Sequence, residues 1–285
     1  MQKQILAFKL IRYGAGMKIR SFLNIKSSKH IFENYYNIIN QFSGLGSDEF
    51  ACMNYGIATD KKIELNPEDE AERYPLQLYD YVATGAGTVS LTGLDVLEVG
   101  SGRGGGASYI ARYIKPKNIT GMDLSRTATQ FCINHYKNVD NLSFINGDAE
   151  AIPFPDSSLD AVVNVESSHC YPDFENFVAE VKRVLKPGGY FLFTDFRNAS
   201  ETDIFHNTFE KTGFRQLYEQ DISSRVVDSL TEDTKRRLDL INKINLPWFI
   251  KFPMKDFAGC ANSITYNAYA TGRRRYMYFI LQKPG

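Results

Sequence analysis

The sequence predicts an α/β fold built on a mostly parallel sheet, and three observations predict it. Short apolar runs alternate with helix-like segments between Leu94 and Phe196, the rhythm of βαβ units. These runs are apolar almost throughout, as strands covered on both faces are. The first of them leads straight into a glycine-rich turn, LEVGSGRGG at 97–105, and open α/β sheets hold ligands at such strand-to-helix turns.

In chain order, residues 1–32 carry Lys3, Lys9, Arg12, Lys18, Arg20, Lys26 and Lys29 and no acid, interleaved with Ile5, Leu6, Phe8, Leu10, Ile11, Tyr13 and Met17. Two readings fit: an amphipathic surface helix making peripheral contact with an anionic membrane, and a helix packed on the body of the protein. No signal-peptide cleavage pattern accompanies the segment. Tyr35, Tyr36, Ile38 and Ile39 predict a short helix, broken over 43–46. The stretch NPEDEAE predicts a helix over 66–88, with Asn66 capping, Pro67 in the first turn and Glu68, Asp69 and Glu70 at its positive end. Pro75 then bends or divides it.

The later elements follow from the alternation. Strands are predicted at 94–100, 118–123, 142–148, 159–165, 190–196, 214–222 and 273–283. Helices are predicted at 105–115, 125–137, 173–186 and 200–212, with Phe174, Phe177, Val178, Val181 and Leu185 forming one apolar face. Residues 228–258 read as a mainly helical insertion, irregular around Pro247 and Pro253.

Composition narrows the class. The chain has 285 residues, 43% hydrophobic and 23% charged, which supplies a sizeable core. With 33 basic and 33 acidic residues it lacks the basic excess of a general nucleic-acid binder. No run of about 18 apolar residues predicts a membrane span. Cys52, Cys132, Cys170 and Cys260 form no CxxC, which argues against a disulfide framework or structural zinc. Reduced thiols in a cytoplasmic protein are the simplest account.

The turn at 97–105 has three readings. Gly100, Gly102 and Gly104 let the main chain turn tightly and approach a ligand. A phosphate-binding P-loop needs a lysine after its glycines, and none follows. A nicotinamide dinucleotide site fits GxGxxG, but Glu98 just before the first glycine repels a pyrophosphate and suits an amine-bearing ligand. A purely structural turn is the third. The next strand ends decide among them. Asp123, in GMDLS, lies 21 residues beyond Gly102 and 23 beyond Gly100, where an acid accepts both ribose hydroxyls. Asp148, in NGDAEAIPFPD, stands with Ala149 where a carboxylate and an amide can read an adenine edge. Acids at three consecutive strand ends, together with the glycines, make a structural turn a poor explanation.

This arrangement resembles the class I S-adenosylmethionine-dependent methyltransferases over about residues 92–197: LEVGSGRGG, GMDLS, NGDAEAIPFPD and LKPGG stand for the family's successive motifs. The resemblance implies a Rossmann-like seven-stranded sheet of order 3-2-1-4-5-7-6 with the seventh strand antiparallel. It implies S-adenosyl-L-methionine as cofactor and no metal. It assigns Gly100, Ser101, Gly102 and Gly104 to the methionine side, Asp123 and Leu124 to ribose and adenine, and Asp148 and Ala149 to adenine, with Glu98 and Asn164 also among the cofactor-binding residues. It also implies a helical acceptor and lid region over 1–88, a methyltransferase core over 89–285 and an acceptor-lid insertion at 224–260.

NVESSHCYPD, at 164–173, leaves the fourth strand at the mouth of that site. His169 titrates near neutrality and can take a hydroxyl proton as oxygen attacks the methyl group. His135 falls on an outer helix, His30 in the basic arm, and His206 on a helix that could line the acceptor side. Cys170 lacks an evident acidic orienter for a Cys–His pair. Asp195, in FTDFR, faces the same sheet edge, where it orients His169, binds the acceptor or pairs with Arg197. The segment is similar to small-molecule methyltransferases of the sterol and phthiotriol dimycocerosate types and to tailoring O-methyltransferases. Glu166 and His169 match their Glu-x-x-His element.

The expected reaction is methyl transfer to a hydroxyl of a bulky, largely apolar small molecule, such as a polyketide or polyketide–peptide product, with His169 as base. Trp248, Phe249, Phe252, Met254 and Phe257 offer rings and thioether to cover such an acceptor. Two alternatives stand beside it: C-methylation of a sterol-like or isoprenoid acceptor, and a non-catalytic nucleoside-binding or scaffold protein.

Overall fold

The structure, a computed structural model, describes residues 51–243 and 248–285, with side chains through 243 and again from 251. The basic arm, the Tyr35–Ile39 helix and Pro247 lie outside the described residues. Seven strands form one sheet: β1 (Asp95–Val99), β2 (Asn118–Asp123), β3 (Leu142–Asn146), β4 (Leu159–Val165), β5 (Leu185–Asn198), β6 (Arg215–Asp221) and β7 (Arg274–Gln282). Their order is β3-β2-β1-β4-β5-β7-β6. The first five run parallel, and β7 is antiparallel to both β5 and β6. Because β1 pairs with β2 on one side and β4 on the other, the strand order reverses there and a crevice opens at their carboxyl ends.

The apolar strands bury alternate residues in two separate cores, one on each face. Val96, Val163, Leu192 and Ile280 pack toward α1 (Arg73–Ala83) and α2 (Gly105–Tyr109), the latter continued by a π-turn over Ile110–Ile114. Leu97, Val162, Phe191 and Phe279 face α4 (Phe174–Val184) and α5 (Asp203–Lys211). In α4 the buried residues Phe174, Phe177, Val178, Val181 and Val184 fall at helical spacing, and the Asp173 carboxylate caps it by accepting the Asn176 amide at 3.1 Å. Each such side chain is worth about 1.5–3 kcal/mol when buried. Truncating Phe177 to alanine removes about 3–5 kcal/mol. The remaining α-helices among the described residues are α3 (Arg126–His135), α6 (Ser223–Lys243), α7 (Trp248–Phe257) and α8 (Ile264–Ala270).

Four local expectations are corrected. The helix expected over 66–88 starts at Arg73, not at Asn66, because the Asp69 carboxylate turns aside to accept from Arg112 Nη1 at 2.6 Å and the Tyr113 hydroxyl at 2.5 Å. Pro75 neither bends nor divides it but sits in its first turn, where no amide donor is needed. Strand β5 begins at Leu185 and takes in the LKPGG turn as a bulge: Leu159 pairs with Leu185, but Ala161 pairs with Tyr190. Residues 223–243 form one unbroken helix, and Pro253 lies inside α7.

Candidate active site

A cleft at the carboxyl ends of β1, β2 and β4 is lined by the glycine-rich turn, by residues 122–125, 147–150, 165–167 and 169–172, and by an irregular strap at 51–55. Gly100, at φ +79°, turns the chain out of β1; a Cβ there would stand 2.4 Å from Ser167 Oγ and 2.8 Å from the Tyr171 hydroxyl. Only glycine accepts both that left-handed conformation and that proximity. Asp123 ends β2 inside the cleft. Its Oδ2 accepts the Gly102 amide and its Oδ1 the Ser125 amide, each at 2.8 Å. Burial raises this acid above its ordinary range even so. Asp148 accepts the Glu150 amide at 2.9 Å and lines the cleft with Ala149.

The end of β4 carries the second half. His169 sits in a short 3-10 turn, Ser168–Cys170, and its Nδ1 lies 2.9 Å from Asp195 Oδ1. Asp195 is wholly buried on β5, where Oδ2 accepts the Ser168 hydroxyl at 2.5 Å and the His169 amide at 2.8 Å. Burial pushes the imidazole down, but Cys170 and the Asp195 carboxylate outweigh it and hold His169 up to about 10. Burial likewise raises Asp195, yet His169 and Arg197 hold it well below the usual carboxylate range. Phe196 stacks on the imidazole with ring centroids 4.4 Å apart.

Glu166 links this floor to the strap. It takes φ +50°, unusual for a non-glycine residue, and its Oε2 accepts the Tyr55 amide at 2.8 Å and the Tyr276 hydroxyl at 2.7 Å. Burial raises its carboxyl to about 7, against the pull of Tyr276 and Tyr55.

Residues 97–193 match the methyltransferase domain family. The phthiotriol/phenolphthiotriol dimycocerosates methyltransferase of Mycobacterium tuberculosis is 38% identical over 233 residues, 81% of this chain and 84% of that protein. The chain belongs to this methyltransferase family. Another relative, the fatty-acid O-methyltransferase of Mycolicibacterium smegmatis, is 38% identical over 224 residues, 78% of this chain and 80% of that protein. Among solved structures, the cyclase SpnF superposes with a TM-score of 0.68 at 20% identity, covering 90% of this chain and 96% of that one. That likeness carries the fold alone. The chain is thus a class I S-adenosylmethionine-dependent methyltransferase.

The residues present in this methyltransferase fit the cofactor. Glu98 in β1 is wholly buried, and among the described residues neither carboxylate oxygen makes a hydrogen bond of good geometry. The Tyr79 hydroxyl and Ala107 amide are the polar groups turned toward it, and burial raises its carboxyl to about 7 against their pull. A buried carboxylate without a partner is costly and suits an incoming cation. Its neighbours Cys52 and Tyr79 both line the cleft.

Of the site residues expected from sequence, Gly100, Ser101, Gly102, Asp123, Leu124, Asp148, Ala149, Glu166 and His169 line the cleft. Glu98, Gly104, Asn164 and Asp195 do not. Gly104 is a glycine because a Cβ would meet Phe144 at 2.7 Å, so packing explains it. Asn164 braces the loop, its Nδ2 donating to the Val99 carbonyl at 2.9 Å and Ser167 Oγ at 2.8 Å. His206 is away from the cleft, 2.8 Å from Glu219 on β6. The His169 ring beside Cys170 does have an acidic orienter, Asp195. Of the expected acceptor rings, Phe257 lines the cleft and Phe252 is 66% exposed; the side chains of Trp248 and Phe249 lie outside the described residues.

Sequence reasoning missed Tyr55, Phe196, Tyr276 and Arg103. Arg103 is buried, lines the cleft and stacks over Phe131 at 4.0 Å. It stands inside the glycine motif, so its position was the available signal. Tyr276 reaches the site from a strand more than a hundred residues downstream of Glu166, and no local pattern announces that.

Proposed function

We propose that this enzyme transfers a methyl group to a hydroxyl of a bulky, largely apolar small molecule of polyketide or lipid type, with His169 as the base. The observation that carries the reading is the Asp195–His169 pair at the mouth of the cleft. An imidazole whose Nδ1–H donates to a buried carboxylate keeps Nε2 for a substrate proton. When bound, S-adenosylmethionine supplies a methyl group on a sulfonium, an electrophile with a good leaving group. Asp123, Asp148 and Ala149 bind the nucleoside in this reading, and Glu98, buried behind the cleft-lining Cys52 and Tyr79, supplies the negative charge that favours the amino group. His169 takes the acceptor proton, so that oxygen reaches the methyl group without building up positive charge. A cation in the loaded cleft disfavours the charged imidazole and so raises the fraction of His169 able to act as a base.

In this reading the acceptor lies against the strap at 51–55 and against Phe257. Met53, Tyr55, Phe196 and Phe257 give that side an apolar lining. The names of the two curated relatives, one acting on phthiotriol and phenolphthiotriol dimycocerosates and one on fatty acids, support a lipophilic oxygen acceptor. Among the described residues no helix is long and apolar enough to cross a membrane. All four cysteines are free thiols, which suits a cytoplasmic setting. The test is incubation with isotopically labelled S-adenosylmethionine and a panel of hydroxylated lipids and polyketides, with mass spectrometry locating the label. Label on oxygen of a lipophilic acceptor is expected; label on carbon would replace this reading with C-methylation.

A further inference from the structure

The peptide unit on each side of Tyr55 is gripped. Its N–H donates to Glu166 on the cleft floor at 2.8 Å. Its carbonyl accepts from Ser229 Oγ at 3.0 Å and from Arg237 Nη2 at 3.2 Å, both on α6. Arg237 does more than this one bond. Nη2 also reaches the Asn54 carbonyl at 3.3 Å, and Nη1 donates to the Ala258 carbonyl at 2.9 Å. Its Nε is fixed by Asp233 Oδ2 at 2.8 Å, one helical turn earlier. The side chain is buried, so these bonds are shielded from water.

One planar guanidinium therefore fastens three carbonyls from two segments about two hundred residues apart in sequence. Each segment presents cleft-lining side chains: Met53, Asn54 and Tyr55 on the strap, and Phe257 immediately before Ala258. Arg237 itself does not line the cleft. Only a rigid fork of five donors can serve these carbonyls and a carboxylate together; a lysine ammonium reaches fewer of them. The groups that face the nucleoside side, Gly102, Asp123, Ser125 and Asp148, hang from β1, β2 and the loop after β3 and share no bond with Arg237.

We infer that Arg237 is a positioning residue for methyl transfer: it holds the strap and the end of α7 in register as the wall that seats the acceptor against His169. This rests on the reading of the cleft as the methyl-transfer site. Removing the fork leaves the Asn54 and Ala258 carbonyls without their side-chain donor and the Tyr55 carbonyl with Ser229 alone, while Asp233 keeps Arg236, and the wall loosens while the nucleoside side stays built.

Arg237→Gln, Arg237→Lys and the milder Ser229→Ala test it, with S-adenosylhomocysteine as the cofactor-side probe. Amide hydrogen exchange should accelerate about tenfold or more at Tyr55 in Arg237→Gln, with Gly102 and Ser125 protected as in the wild type. S-adenosylhomocysteine affinity should stay within about twofold. With labelled S-adenosylmethionine and a long-chain hydroxylated lipid, the acceptor KM should rise about tenfold. Arg237→Lys should recover part of both effects. If Arg237→Gln does not fold, Ser229→Ala carries the test, with smaller changes of the same kind. Uniform loss of exchange protection, or equal loss of cofactor and acceptor binding, would overturn the inference and leave Arg237 a general stabiliser. Failure of the wild type to bind S-adenosylhomocysteine would instead sink the underlying reading of the cleft.

Discussion

Asp195 grips His169 twice: Oδ1 lies 2.9 Å from the ring Nδ1 and Oδ2 accepts the residue's own amide at 2.8 Å. One buried carboxylate thus fixes both the ring and the backbone of the turn that presents it. The grip also sets the proton affinity of the imidazole, because an adjacent anion favours the charged ring.

Asp195→Asn should therefore change the pH profile as well as the rate. In the cofactor-free wild-type enzyme His169 is held up to about 10, so kcat/KM for the cofactor should climb as pH rises toward that value and the base form grows. The amide removes the negative charge, and the rise should move to lower pH. The rate at its plateau should fall about a hundredfold or more, because the amide can leave the ring in the wrong tautomer. A pH–rate profile of both proteins checks this; an unmoved profile would detach Asp195 from the chemistry.

Stability should fall as pH rises through neutrality. Burial raises Glu98 and Glu166 to about 7 each, above the usual 4.5, so the folded state holds protons that the unfolded state has released between those values. Raised acids cost stability as pH climbs through that window. His169 works in the same direction: raised from 6.5 to about 10, its contribution is complete below about 6.5 and is lost as pH passes through 10. Thermal unfolding of the ligand-free enzyme from pH 5 to 10 should show a declining Tm, and a rising one would contradict this account.

Glu98→Gln separates the cost of a buried charge from its use. Without ligand the variant should unfold at a higher temperature at pH 8, since it no longer buries an unpartnered carboxylate. Its affinity for S-adenosylhomocysteine should drop about tenfold as the charged partner of the amino group is lost. Calorimetric titration and a melting curve measure the two together. Unchanged affinity would remove Glu98 from the cofactor's surroundings.

Gly100→Ala should cost about 2 kcal/mol or more, from the left-handed backbone and the 2.4 Å approach to Ser167 Oγ. The same crowding pushes the loop into the cleft, so S-adenosylhomocysteine should bind far more weakly. A denaturation midpoint equal to that of the wild type would contradict the steric account.

The fold was legible because its signals are local. Strands β2 and β4 fall at the positions their apolar runs predict, and the Gly100–Gly104 turn falls between β1 and α2. The placement of Asp123 and His169 at the cleft was legible because Asp123 ends β2 and His169 lies in the turn that follows β4. What sequence did not disclose was set by distant partners. Asn66 looks like a helix cap, but the Arg112 and Tyr113 side chains draw Asp69 away and the helix starts later. His206 lies on an expected helix, yet Glu219 on the sheet edge claims it. Helix α8 spans only Ile264–Ala270, too short for a period to show. The role of Asp195 was one of several open readings until the β4–β5 register brought it to His169.

The most direct test pairs two quantities in His169→Ala: affinity for S-adenosylhomocysteine by calorimetry, and single-turnover transfer of labelled methyl to a hydroxylated lipid that the wild type accepts. Affinity should stay within about threefold while transfer falls about a hundredfold or more. Transfer at the wild-type rate, with the cofactor still bound, would show that the proton leaves by another route.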